Sequence, residues 1–343
     1  MTEAPFADPL VIQTMRQFKV ELLAREHRQM QEMARAWLSV ERALQDKINL
    51  LAQEAYDLSL AGKTLSRSKI YRWQRYRDLL AQTQLEYQQY AIWAGDFAQA
   101  GQVMAVETGI DHAHQSMNAI FTDYGMVMPY FERLPYEAVE NMVGLAGNGQ
   151  PLGELLKQRL TVNVVSKETS WDVWNRMTNT LIDSTALGRN PRVTAGLMQN
   201  DLTGGLNKAM TIARTEQMRV YRMASAQSYK KSGLVKGQKR LTAHDSRVCI
   251  GCLADEGTVY PINEPIPDHP NGRCTGVPII VGMPEINWTS GEAWLNTQPE
   301  DMQRAILGDK RFGMWQDGAD FGEFSVVKRD PVWGKSVVPA AVG

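Results

Sequence analysis

Apolar side chains recur at steps of three and four residues over a long stretch near the start of the chain that contains neither Gly nor Pro. This spacing places one apolar stripe along a helix and predicts an α-helix over residues 10–61, with a break near 25–27. A short turn around Gly62 separates it from a second helix predicted over 63–94. Because neither helix can bury its stripe alone, we expect the two to pack as an antiparallel hairpin.

Shorter periodic segments alternate with Gly and Pro through the middle of the chain. The helices they predict are 135–143, 152–160, 171–187, one that begins at 193, and a strong helix over 206–232. After Gly233 the pattern changes to short, partly β-branched runs between turns. The predicted strands are 239–243, 258–262 and 277–281. A helix over 299–307 follows, then Gly-rich loops and a fraying end at 336–343.

Length and composition are those of a globular protein. The 343 residues are 43% hydrophobic and 22% charged, which excludes wholesale disorder and low-complexity fibres. The N-terminus lacks the basic-then-apolar pattern of a signal peptide, and no apolar run approaches the roughly 20 residues of a membrane span. We therefore expect a soluble, cytosolic product with no membrane partner.

A net charge of −1 conceals an asymmetry along the chain. Residues 201–250 carry a net +7, whereas residues 251–343 carry −6. Such a split is typical of a phosphate-binding surface beside an acidic docking surface, although charged faces that are merely solvated give the same count. The candidate contacts to DNA phosphates are Arg219, Arg222, Lys230, Lys231, Lys236, Lys239 and Arg240.

All three cysteines belong to one pattern, C-x2-C-x16-H-x4-C, formed by Cys249, Cys252, His269 and Cys274. Four soft or borderline donors without a spare predict a closed tetrahedral Zn²⁺ site of the structural kind. The alternative is three buried cysteines without a metal and a surface histidine. An odd, clustered set of cysteines in a chain without an export signal does not indicate a disulfide framework.

Catalytic signatures are missing from the sequence. There is no P-loop, no G-x-S-x-G and no H-E-x-x-H, and neither His nor Cys follows Cys274, so we expect a protein that is not an enzyme. The triplet Arg214-Thr215-Glu216 on the basic helix is the other conspicuous feature. One of its two charged residues is expected to anchor that helix to the zinc module, unless the helix is simply exposed.

The order of several motifs resembles the phage Mu F-like minor head protein family, the head morphogenesis proteins of tailed bacteriophages. The resemblance covers about residues 150–280, the N-terminal helices match only in character, and one departure is Gly272, where many members have a cysteine. The residues that carry it are Ile212-Ala-Arg-Thr-Glu216, Tyr229, Gly233, Asp245-Ser-Arg-Val-Cys249-Ile-Gly-Cys252, Glu256-Gly257, His269-Pro-Asn-Gly-Arg-Cys274 and Pro278, with a similar tail at Trp294-Leu-Asn-Thr-Gln298-Pro, Gln303-Arg-Ala-Ile-Leu-Gly308 and Arg311.

The resemblance implies a low-copy structural protein inside the capsid, near the portal, that is made in the host cytoplasm. It would contact the portal protein and other head proteins, and assist head morphogenesis and the packaging or delivery of DNA. Alternatives are a zinc-stabilised nucleic-acid-binding protein or nuclease, and a toxin-type enzyme, for which the roughly sixty residues after the zinc module are too few.

The sequence thus predicts a mainly α-helical protein with a small zinc-stabilised α+β module. Four regions follow from the patterns. They are a long helical hairpin for docking (1–125), a helical core domain (126–235), a zinc-binding β module (236–285) and a C-terminal extension (286–343).

Overall fold

The computed structural model describes residues 8–160 and 170–342, and within them the protein is mainly helical with two small antiparallel sheets. The helices are α1 (Leu10–Leu60), α2 (Arg67–Arg72), α3 (Gln74–Asp123), α4 (Glu137–Glu140), α5 (Leu152–Leu160), α6 (Ser170–Ala186), α7 (Pro191–Ser232), α8 (Ile250–Ala254), α9 (Gly291–Asn296), α10 (Glu300–Leu307) and α11 (Asp309–Gln316). The strands are β1 (Val235–Leu241), β2 (Val259–Pro261), β3 (Thr275–Ile280), β4 (Ser325–Asp330) and β5 (Gly334–Pro339). A 3₁₀ turn at Phe321–Phe324 precedes β4.

α1 ends one residue before its predicted end, whereas α3 and α7 are longer than predicted. α1 continues without the expected break at 25–27, and the second helix is divided at Trp73 into α2 and α3, of which α3 continues to Asp123. α7 is likewise one helix where two were predicted. The break expected in α1 has an origin other than glycine, since that helix contains none. The extents of α3 and α7 were predicted wrongly because glycine was interpreted as a breaker, and an isolated glycine costs a helix only about 1 kcal/mol.

These glycines instead allow helices to approach each other closely. A β-carbon on Gly109 would lie 2.5 Å from the carbonyl oxygen of Tyr221, and one on Gly205 would lie 2.8 Å from the Trp37 ring. The packing that replaces the missing side chain compensates for the weak helix propensity of glycine.

The described residues form two compact units. The first contains the residues up to Arg25, Ala100–Gly149 and everything from Arg214 onward; the second contains Glu26–Gln99 and the described part of 150–213. The four predicted regions do not coincide with these units, because α1, α3 and α7 each contribute residues to both.

Helix pairing in each unit is antiparallel, as the hairpin predicts. In the first unit, the Leu10 N–H donates to Asp123 at 2.8 Å and Arg25 donates to Thr108 at 2.7 Å. In the second unit, the Tyr90 hydroxyl donates to the Met33 carbonyl at 3.1 Å. Trp37 is buried there against Tyr87 and Tyr90, so the Trp and Tyr stripe is core.

The first unit has a three-stranded sheet of order β2-β1-β3 with all neighbours antiparallel. β1 begins four residues before its predicted start. The first turns of α1 lie against this sheet, where Val11, Phe18, Leu241 and Val277 share one buried cluster. The N-terminal helix is therefore part of the core that supports the β module.

The last part of the chain forms strands rather than the predicted loops. β4 and β5 form a hairpin in which Val327 pairs with Val337, so the predicted Gly-rich loops and fraying end are wrong. Phe312, Trp315 and Phe324 bury their rings in a cluster that also contains Ile250 and Leu253 of α8. A two-stranded hairpin is at best marginally stable by itself, so its strands could not be predicted from their own residues. Here the hairpin is stabilised by its contacts with α8.

Membrane insertion through a helix has no support in the described part of the chain. None of the helices there combines the length and the apolar character that a span requires.

Candidate metal centre

Two turns present the four predicted ligands. Cys249 lies at the N-cap of α8 and Cys252 one turn into that helix, whose first hydrogen bond runs from the Leu253 N–H to the Cys249 carbonyl at 2.9 Å. His269 and Cys274 flank a second turn directly before β3, closed by the Gly272 N–H donating to the His269 carbonyl at 2.8 Å. Both turns belong to the first unit.

The side chains of these turns form two overlapping groups of candidate ligands. The donor atoms of Cys249, Cys252 and His269 all lie within 4.8 Å of one another, and so do those of Cys252, Asp268 and Cys274. Cys252 is common to both groups and is 2% exposed, and Cys274 is 4% exposed. The cluster can hold a metal ion, with Cys252 at its centre.

His269 is held in one orientation and one tautomer. Its Nδ1 lies 2.8 Å from the Pro270 carbonyl oxygen, so Nδ1 carries the proton and donates it. Burial alone would lower the pKa of His269, but the hydrogen bond to Cys249 and the Asp268 charge raise it to about 9. Nε2, the other ring nitrogen, therefore offers its lone pair to a metal ion once it has lost its proton. A histidine fixed in this way through its second nitrogen is the usual arrangement of a metal ligand.

Hydrogen bonds among the thiols lower the pKa of Cys249 and raise that of Cys252. The hydrogen bond from the Cys252 thiol, opposed by burial and helped by His269, lowers the pKa of Cys249 to about 4. The hydrogen bonds that Cys252 makes to Cys249 and Cys274, together with its burial, raise the pKa of Cys252. Thiolates are the metal-binding form of cysteine, so this cluster provides an anionic sulfur at neutral pH.

Asp268 is a buried member of the cluster that the sequence analysis missed. Its Oδ2 accepts a hydrogen bond from Arg222 at 2.6 Å, and its Oδ1 accepts the His269 N–H at 2.9 Å. Its side chain is only 3% exposed. Its position immediately before His269 was the available sign, but a single carboxylate in a sequence does not indicate burial.

Arg240 places a buried positive charge against the sulfurs. It is fully buried, with Nη1 3.8 Å from the Cys252 sulfur and Nε 2.7 Å from an Asp255 oxygen, and it also donates to the Pro267 carbonyl. Burial alone would lower the pKa of Arg240, but Cys274 and Cys252 raise it above its ordinary value. The guanidinium stays charged and balances the thiolates.

A second buried cation, Lys19, comes from α1. Its Nζ donates to the Leu241 carbonyl at 2.8 Å. Burial lowers the pKa of Lys19 to about 8, although Cys274 and Glu256 oppose that shift. Helix α1 thus contributes a cation as well as apolar side chains to the surroundings of the cluster.

Within the Arg214-Thr215-Glu216 triplet, Thr215 joins α7 to the second turn of the site. The Thr215 hydroxyl accepts the Asn271 N–H at 3.0 Å, which joins α7 to the turn between His269 and Cys274. Glu216 is fully buried and instead accepts from the Gly147 N–H and the Trp333 indole, each at 3.1 Å.

Most of the candidate DNA contacts are occupied within the protein. Arg219 pairs with Glu216 at 2.6 Å, Arg222 pairs with Asp268, and the burial of Arg240 is incompatible with a contact to phosphate. Lys231 pairs with Glu132 at 2.9 Å, and Lys239 donates to Asn287 at 3.1 Å. A row of charges in sequence does not distinguish solvated cations from those neutralised by carboxylates elsewhere in the chain.

Lys230 and Lys236 are the exposed members of the set that make no ion pair with the described residues. Lys230 lies in the last turn of α7, and Lys236 is the second residue of β1. The positive surface available to a phosphate backbone is therefore smaller than the local charge of +7 suggests.

Comparison with protein-family models, with curated proteins and with solved structures found no match.

Proposed function

We propose that the cluster binds one zinc ion through Cys249, Cys252, His269 and Cys274, and that the ion is structural. Three thiolates and one imidazole are a donor set of tetrahedral structural zinc. A bound zinc ion would link α8 to the turn before β3. Asp268 and Arg240 surround the donors and orient or neutralise them, as outer residues of metal sites commonly do.

Burial supports a structural role over a catalytic one. A catalytic zinc keeps one coordination position open to water or substrate. Here Cys252 and Cys274 are almost completely buried, and the fully buried Val337 clusters with them. The sulfurs of Cys252 and Cys274 therefore face protein rather than a cleft, whereas Cys249 is partly exposed.

We propose further that the chain is a structural minor head protein of a tailed phage, located inside the capsid near the portal. The observation that carries this proposal is the Thr215–Asn271 hydrogen bond. It joins two motifs on which the resemblance depends, although more than fifty positions separate them in sequence. Motifs that meet in space are expected of a shared structural unit rather than of chance similarity.

The partners in this proposal are the portal protein and other head proteins, with DNA as a non-specific partner. Lys230 and Lys236 support DNA binding because they are exposed, and phosphate contacts of this kind are independent of sequence. The same lysines suit an acidic protein surface, so DNA is the part of the proposal that needs its own measurement.

The metal is tested by elemental mass spectrometry on the purified full chain. Wild type should contain one zinc per chain, and Cys252→Ser should lose it. His27→Ala, in which an exposed histidine far along the chain from the cluster is replaced, is the matched control and should keep its zinc. A metal-free wild type that still folds normally overturns the zinc proposal.

The head assignment is tested by proteomics of purified virions from a phage or induced prophage that carries the gene. We expect the chain at low copy in DNA-filled heads and in procapsids. A chain that is abundant in the lysate and missing from the particles would overturn the assignment while leaving the zinc site intact.

A further inference from the structure

The last strand of the chain lies directly on the turn between the two cysteines of the C-x2-C motif. A β-carbon on Gly251 would lie 2.5 Å from the carbonyl carbon of Val338 and 2.7 Å from the Pro339 nitrogen. No side chain fits between them. Residue 251 must therefore be glycine for β5 to reach this position.

The side chain next to that contact covers the sulfurs. Val337 is fully buried and forms one apolar cluster with Cys252 and Cys274, against which Cys249 also packs. Val337 is fully buried, whereas Val327, its partner on the same face of the hairpin, is 53% exposed, so the cysteine cluster covers the β5 side of that face but not the β4 side.

Hydrogen bonds hold the β4–β5 hairpin at the end opposite its turn. The Ala340 N–H donates to the Phe324 carbonyl at 2.9 Å, and Arg311 of α11 donates to the Ala340 carbonyl at 2.6 Å. Phe321 and Phe324, immediately before β4, are buried in the cluster that contains Ile250 and Leu253. Both strands are thus tied to α8, the helix that carries Cys252.

We propose that the β4–β5 hairpin is a strap that closes the cysteine cluster and sets the rate at which its thiols react and its metal exchanges. Cys249 is partly exposed, but a reagent reaches the buried sulfurs of Cys252 and Cys274 only when the strap opens. The rates at these two sulfurs therefore depend on the free energy of that local opening. The metal part rests on the proposed zinc site, whereas the thiol part does not.

The strap is tested by measuring thiol reaction with a chromogenic aromatic disulfide. In that reaction a cysteine thiolate attacks the reagent, forms a mixed disulfide and releases one aromatic thiolate, which is counted by its absorbance. The protein is full-length and is used as purified, without a chelator, and its zinc content is measured beside each rate. At the two buried sulfurs, those of Cys252 and Cys274, Val337→Ala should react at least tenfold faster than wild type, because the side chain that covers them is shortened.

Val327→Ala is the matched control, since it makes the same change on the paired, exposed position of the hairpin. It should react at the wild-type rate. Gly251→Ala displaces β5 from the other side of the contact and should also accelerate the reaction. It decides the question if Val337→Ala does not fold, as judged by circular dichroism.

The second measurement is the rate at which zinc-loaded protein loses metal to a colorimetric chelator. Val337→Ala should lose zinc at least tenfold faster, and Val327→Ala should not. Equal rates for wild type and Val337→Ala in the thiol assay overturn the strap. If the thiol rates differ as expected but no variant binds zinc, the strap stands and the zinc proposal fails.

Discussion

The Asp268 carboxylate fills the space that a side chain on Gly272 would need. A β-carbon on Gly272 would overlap the Asp268 carboxylate, so the carboxylate can lie where it does only because residue 272 has no side chain. From that position Asp268 joins Arg222 of α7 to the backbone of His269. The glycine and the aspartate therefore act together to fix the turn that carries two of the candidate ligands.

Gly272→Ala should consequently weaken both the fold and the metal site. The new methyl group displaces a buried carboxylate, and overpacking of this kind costs about 1–3 kcal/mol of unfolding free energy. Because Asp268 holds the His269 backbone, zinc affinity should fall by roughly 10- to 100-fold, as it does when outer residues of a metal site are changed. Urea unfolding and competition with a chelator measure the two effects.

The matched control for this variant is Gly313→Ala. Gly313 lies inside α11 and a β-carbon there meets nothing within 4 Å. Alanine should therefore leave zinc affinity unchanged and stabilise the helix by up to about 1 kcal/mol. Equal zinc affinities of the Gly272→Ala and wild-type proteins would show that Asp268 does not position the turn.

Arg240→Met tests the buried cation. Methionine keeps much of the volume but removes the charge that faces Cys252 and Asp255, and loss of one partner of a buried pair costs about 3–5 kcal/mol. Zinc binding should weaken as well, because the thiolates lose a neutralising neighbour. Equilibrium unfolding in urea, with and without added zinc, separates the two losses.

Lys236→Met is the control on the same strand, since Lys236 is exposed. It should change the free energy of unfolding by less than about 0.5 kcal/mol. A similarly small effect of Arg240→Met would mean that the guanidinium contributes only volume.

Local elements with regular patterns were predictable from the sequence. The helix over 152–160 was predicted with its exact bounds, and 299–307 differs from α10 by one residue. In both, the apolar period and the flanking proline act within a few residues, so no distant partner is needed to decide the structure.

Elements that depend on distant partners were not predictable. Glycines 109 and 205 lie inside helices because Tyr221 and Trp37 pack where side chains would be, which no local pattern contains. The β4–β5 segment was interpreted as loop because of its glycines, whereas its strands pack against α8, far away in sequence. The pairing energy of a strand comes from neighbours that sequence proximity does not identify.

The candidate site was likewise predictable where it depends on local sequence and not where it depends on distant residues. Cysteine spacing identified the turns that meet, since that spacing is local within each turn. Asp268, Lys19 and Arg240 were missed or misassigned because burial, not residue type, makes them part of the site. Arg240 in particular was assigned to a DNA surface on its charge alone.

Acid should destabilise the first unit through Glu256. Burial alone would raise its pKa, but the hydrogen bond to His244 at 2.7 Å, the His244 charge and the Thr242 N–H hold the pKa of Glu256 below its ordinary value of 4.5. A lowered folded-state pKa gives stabilisation that is fully present above the unfolded-state value. It is lost as the pH falls through the folded-state pKa.

The measurement compares urea unfolding of wild type and Glu256→Gln between pH 3 and pH 7. We expect a difference of about 2 kcal/mol at pH 7, typical of a hydrogen bond to a charged group, that shrinks in acid. Glu264→Gln, at an exposed glutamate in the same module, is the control and should differ little at any pH. A difference that grows as the pH falls would contradict the assignment.

Duplex DNA should bind weakly and with a shallow dependence on salt. Four of the seven candidate cations, Arg219, Arg222, Lys231 and Arg240, pair with carboxylates of the protein. Two exposed lysines, Lys230 and Lys236, remain free of ion pairs with the described residues. Each phosphate contact contributes about −0.9 to the slope of log affinity against log salt, so we expect a slope near −2 rather than the −6 that seven contacts would give. Gel shifts across a salt series measure this slope.

The double variant Lys230→Gln and Lys236→Gln should abolish DNA binding, whereas Lys310→Gln, which replaces an exposed lysine on α11, should not. A steep slope that survives the double variant would place the DNA surface elsewhere on the protein.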